Sequence, residues 1–181
     1  MYEIGDLVFY ESTGVCRIDD ISTQDITGLD KDQLFYILHS VYGDCKIWVP
    51  VESTQLYMRR IITKERALRL IDMIPNIQAE AFHGSRMREL VEHYEDSLNS
   101  HNCRELIEMT MSIYAKKQEA EDQNKKFGAI DKRFMKQAED LLFGELAAAL
   151  EIPKEDVQNF IADRIVKIDV RMLDKRKKED Q

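Results

Sequence analysis

The sequence predicts an α+β protein, with a small domain of five short strands over residues 1–62, a compact α-helical bundle over 63–174 and a polar tail at 175–181. Three observations carry this reading. Up to about residue 60 the apolar residues are β-branched or aromatic and alternate with polar ones. Turn residues interrupt that alternation every few positions. Near Ile61 to Lys64 the period changes, and apolar residues then recur at steps of three and four.

The strand segments are DLVFYE (6–11), GVCRIDDIST (14–23), LFYILHS (34–40), CKIWVPV (45–51) and QLYMRRI (55–61). STG and YGD between them are tight-turn sequences, and DITGLDKDQ is a longer polar loop. Five short strands with so few linking residues suggest a strongly bent sheet or barrel.

Thr63 is placed to cap a first helix, TKERALRLIDMI, which Pro75 ends. Met87, Leu90, Val91, Tyr94 and Leu98 form the apolar stripe of a second, with Met87 expected in the core. A third begins near Asn102, carries Leu106, Ile107, Thr110, Ile113 and Tyr114, and is expected to end or loosen at the polar run KKQEAEDQNKK (116–126). Phe134, Ala138, Leu141, Leu142, Leu146, Ala149 and Leu150 make the longest stripe. Pro153 then opens a last helix using Val157, Phe160, Ile161 and Ile165.

An apolar fraction of 44% suffices for globular cores. No apolar run of about 18 residues occurs, and the start lacks the features of a signal peptide, so a cytoplasmic protein with no membrane role is expected. Cys16, Cys45 and Cys103 match neither a disulfide framework nor a metal-site spacing and are read as reduced and mostly buried. The net charge of −8 argues against coating nucleic acid by bulk electrostatics, so any DNA contact must be local.

GxxxxGK[ST], GxGxxG after a strand, GxSxG and HExxH are all missing from the sequence. His39, His83, His93 and His101 lack metal-ligand spacing, and the acidic runs at 19–20 and 119–122 read as solvated faces. A non-enzymatic protein is expected, with no cofactor, metal or small-molecule substrate. Basic residues cluster in the helical half at Arg86 and Arg88, Lys116 and Lys117, Lys125 and Lys126, and Lys132, Arg133 and Lys136. They are candidate phosphate contacts, or they solvate helix surfaces and pair with neighbouring carboxylates.

GDLVFYESTGVCRIDDI (5–21), FYIL (35–38) and KIWVPV (46–51) together resemble the amino-terminal domain of the CarD family of bacterial transcription regulators. DKRFMKQAEDLLFGELAAAL (131–150) is similar to that family's carboxy-terminal helix. The resemblance implies a Tudor-like (SH3-like) domain that docks on the β subunit of RNA polymerase. It also implies a helical domain that lies against promoter DNA and modulates the open complex without catalysis.

By alternation Ile47 and Val49 point inward and Lys46 and Trp48 outward, and the resemblance assigns Lys46, Trp48 and, approximately, Gln24 to polymerase binding. Alternatively, Trp48 packs under the helical domain or covers a second face of the barrel. On the DNA side the resemblance assigns Arg86, Arg88, Lys132 and Arg133 to phosphate contact. Many members carry a tryptophan wedge before the first basic pair; AFHGSRMREL (81–90) has none, leaving Phe82 or Met87 as possible wedges. A monomer is the default state. The rival reading is a protein-interaction scaffold with a non-polymerase partner and no DNA role.

Overall fold

The computed structural model, which describes residues 1–23 and 33–167, divides into two compact units, Met1–Ile61 and Ile62–Gln181. Gln24, most of the polar loop after Thr23 and the tail at 175–181 lie outside the described residues. The first unit is one antiparallel sheet of β1 (Leu7–Tyr10), β2 (Gly14–Thr23), β3 (Leu34–Ser40), β4 (Lys46–Pro50) and β5 (Met58–Arg60). Its spatial order is β4-β3-β2-β1-β5, so each expected strand is present and the last pairs back onto the first.

The reversal from β1 to β2 takes only Glu11–Thr13, in a 3-10 turn. It requires left-handed backbone at Glu11 (φ 36°) and Gly14 (φ 79°), which glycine adopts without steric cost. In β2 the pairing with β3 slips between Ile18 and Asp20, a bulge that bends the strand. Val8, Tyr10, Cys16, Ile18, Tyr36, Leu38 and Val49 are buried together, with Tyr2, Ile47, Leu56 and Met58 packed against them. That cluster is the alternation of the sequence made physical: even positions of β1 and β2 and odd positions of β4 face one core.

The second unit begins with α1 (Lys64–Met73), where Thr63 Oγ1 accepts the Arg66 N–H at 3.2 Å. Pro75 sits in a 3-10 turn, Ile74–Asn76, that ends it. Then follow α2 (Met87–Asn99), α3 (Cys103–Asp122) and α4 (Ala129–Leu150), and a fifth helix, α5, is described over 157–167. Asn102 caps α3 through Oδ1, which accepts the Arg104 N–H at 3.0 Å. The whole predicted stripe of α4 is buried, and Glu151 closes the helix in a left-handed conformation.

One expectation is corrected. Met87 is 72% exposed, because it is the first residue of α2 and lies beyond the stretch where Tyr94 packs. As expected, α3 ends within the polar run, after continuing through its first residues to Asp122. Lys, Gln, Glu and Ala are strong helix formers, and Lys117 pairs with Glu121 one turn on at 3.9 Å. Left-handed Asn124 ends the extension.

Candidate interaction surfaces

The two outer strands of the sheet differ in what their main chains offer. In the β3/β4 ladder the Val51 N–H donates to Leu34 O and the Ser40 N–H to Cys45 O, both at 2.9 Å, with Tyr36 opposite Val49 and Leu38 opposite Ile47. That parity turns the odd residues of β4 toward β3 and the main chains of Lys46, Trp48 and Pro50 outward. Pro50 has no N–H, and its carbonyl already accepts from the Ser53 N–H at 3.0 Å. The open edge therefore amounts to the N–H and C=O groups of Lys46 and Trp48.

On β5 the same parity turns Met58 and Arg60 outward, since the Glu11 N–H donates to Tyr57 O and the Ile61 N–H to Leu7 O. Here side chains occupy the outward carbonyls. The Tyr2 hydroxyl donates to Met58 O at 3.0 Å and Arg59 Nη1 donates to Arg60 O at 3.1 Å. The outward carbonyls of β5 are thus taken, while those of Lys46 and Trp48 on β4 are not.

Trp48 is 43% exposed and stands opposite Ile37, on the face away from the core cluster. Lys46 Nζ lies 5.7 Å from the centre of its ring, a cation–π distance. An aromatic plate and a cation thus flank the only main-chain groups that β4 leaves unpaired.

In the helical unit Arg86, Arg88, Lys132 and Arg133 are all exposed. Arg86 precedes α2, and Arg88 Nε donates to Glu92 one turn on at 2.6 Å. Ser85 fixes this entry, donating from its N–H and its hydroxyl to Glu89 at 2.9 and 2.7 Å, bonds that hold the Glu89 carboxyl below its ordinary range. Phe82 is half-buried and stacked on His93 with centroids 3.8 Å apart, whereas Met87 projects into solvent. Lys132 and Arg133 lie in the first two turns of α4, with the Arg133 guanidinium 4.6 Å over the ring of Phe134.

Lys116, one of the basic candidates, faces inward. Its ammonium donates to Asp131 Oδ1 at 2.9 Å, and the Tyr94 hydroxyl donates to the same oxygen at 2.8 Å. Asp131 and Tyr94 are buried, so burial first, and the carboxylate second, push the Tyr94 phenol well above its ordinary range. This triad ties α2, α3 and α4 together immediately before Lys132. No sequence spacing announces it, because Tyr94, Lys116 and Asp131 meet only after the helices pack.

Among the described residues no group of three or more His, Cys, Asp or Glu is placed to hold a metal ion, and no helix is long and apolar enough to cross a membrane. The geometry offers two candidate surfaces, each described by itself: a strand edge in one unit and exposed cations in the other. Residues 2–62 match the family model described as CarD-like/TRCF RID domain, which makes this amino-terminal domain a member of that family. Domains of the family are non-catalytic and interact with the β subunit of RNA polymerase. The match ends at residue 62, before the helices begin.

Proposed function

We propose that this chain is a bacterial, cytoplasmic transcription regulator whose Tudor-like amino-terminal domain docks on the polymerase β subunit through β4. Its helical bundle then contacts promoter DNA and changes open-complex stability. The open edge at Lys46 and Trp48, against a β5 edge whose outward carbonyls are already taken, is the observation that supports the docking site. A partner strand can complete such an edge with main-chain hydrogen bonds, while outward side chains select the partner.

On the DNA side the exposed cations Arg86, Arg88, Lys132 and Arg133 suit phosphates, which carry no sequence information. Met87, exposed beside Arg86 and Arg88, is the better placed apolar wedge; Phe82 is already engaged by His93. A regulator of this kind acts only by binding the melted state and the closed state with different affinity.

Calorimetry of the purified protein against the isolated β-subunit lobe tests the docking site. Trp48→Ala should weaken binding by about 2 kcal/mol, roughly 30-fold, as at other aromatic hot spots. Unchanged affinity in that variant would remove Trp48 from the interface, and no binding by either protein would refute the docking reading.

A further inference from the structure

Where α1 meets the start of α3, the helical unit has a cleft of about 360 Å³ lined by Arg66, Arg69, Leu70, Met73, Asn102 and Arg104. Three guanidiniums border it and, among the described residues, no carboxylate does. Arg66 and Arg69 are three residues apart on α1, hence on one face, and make no ion pair among the described residues. Glu65, the nearest acid in sequence, turns back to Thr63 at the helix cap. Arg104 gives Nε to Glu108 at 2.9 Å and keeps its terminal nitrogens.

Asn102 uses Oδ1 as the α3 cap, which leaves its amide N–H groups as further donors at the cleft. The positive end of a 20-residue helix lies at the same place. Gathered cations repel one another, and an anion in the cleft removes that repulsion.

We propose that this cleft is a phosphate-binding site that holds a phosphodiester of the DNA backbone, a contact in addition to Arg86, Arg88, Lys132 and Arg133. The planar, permanently charged fork of arginine matches phosphate oxygens in pairs. A free nucleotide offers the same phosphate chemistry, but the apolar lining is Leu70 and Met73 alone, with no aromatic ring to stack a base. The inference rests on the DNA role proposed above and is independent of the polymerase contact.

The test uses the full chain and a fluorescein-labelled duplex, with affinity followed by anisotropy across a salt series. Each phosphate contact contributes about 0.9 to the slope of log affinity against log salt. Arg66→Gln with Arg69→Gln removes that one phosphate contact and should therefore flatten the slope by about 0.9 and weaken binding about tenfold at low salt. Because both side chains are exposed, the melting temperature and the affinity for the polymerase lobe should not change.

A wild-type slope in the double variant overturns the proposal, whatever the lobe measurement gives. Failure of the wild-type chain to bind the lobe, with the expected change of slope in the double variant, would refute the docking reading and leave the cleft standing. Pyrophosphate or ATP titrated against the wild-type chain separates the two sources of phosphate. Tight binding of either one, abolished in the double variant and without any change in the DNA slope, would make the ligand a free phosphorylated molecule and overturn the DNA assignment.

Discussion

Replacing Asp131 by Ala should destabilise the helical unit by about 3–4 kcal/mol. The carboxylate accepts from both the Lys116 ammonium and the Tyr94 hydroxyl, and the Lys116 side chain is only 16% exposed. Breaking a buried pair by removing one partner costs about 3–5 kcal/mol, and the partial exposure of Lys116 places this case at the low end. The stranded Tyr94 hydroxyl, on a residue with no exposed surface, adds about 1 kcal/mol. Tyr94→Phe alone should cost about 1 kcal/mol, since Asp131 keeps its ammonium partner.

Urea unfolding can read this out for one unit at a time. Trp48 lies in the sheet unit, so its fluorescence follows that unit, while ellipticity at 222 nm is dominated by the helices. With a urea slope of about 2 kcal/mol per molar, Asp131→Ala should lower the ellipticity midpoint by roughly 1.5–2 M. In a double-mutant cycle Asp131→Ala and Lys116→Met should be strongly non-additive. A cost below about 1 kcal/mol, or strict additivity, would refute the triad as a tie between helices.

Thiol chemistry and acid titration supply two further tests. Cys45 is exposed, whereas burial pushes the Cys16 thiol up to about 11 and Cys103 is buried with its thiol donating to Glu145 at 2.8 Å. Ellman's reagent should therefore label one thiol per native chain, and none after Cys45→Ser. The Glu3 N–H and then the Arg60 guanidinium hold the Asp6 carboxyl below its ordinary value, so its contribution to stability is complete above that value and fades as pH falls through the lowered one. The stability difference between wild type and Asp6→Asn should thus be constant near neutrality and shrink under acid; a difference flat to pH 2 would contradict the assignment.

Periodicity made most of the fold legible. Thr63, Pro75, Asn102 and Pro153 act locally, through one cap or one missing N–H, and each stands where the sequence implies. Met87 was misplaced because a stripe shows which residues share a face but not how far the packing partner extends along it. The end of α3 is legible to within the charged run, and its i,i+4 pairs carry the helix part of the way into that run. The Tyr94–Lys116–Asp131 triad and the arginine cleft were illegible for a stronger reason: their members are up to 38 positions apart and belong to different helices. Trp48 points outward as alternation requires, but that β4 is an edge depends on strand order, which no local pattern contains.

An open edge carries a hazard that bears on how β4 can be used, since two copies of the same chain could pair through it. Pro50 and the turn at Ser53 cut the exposed main chain to two residues, too few to hold a second copy by backbone bonds alone. Lys46 adds repulsion wherever a self-paired register brings two of these cations together. The same shortness means that a productive partner must supply binding energy beyond the ladder. Trp48, one of those two residues, carries a large, half-exposed side chain, so affinity at this edge would have to come mainly from what covers its ring. Under the proposed docking, hydrogen bonding would set the register of the partner strand, and the tryptophan would decide which partner is held.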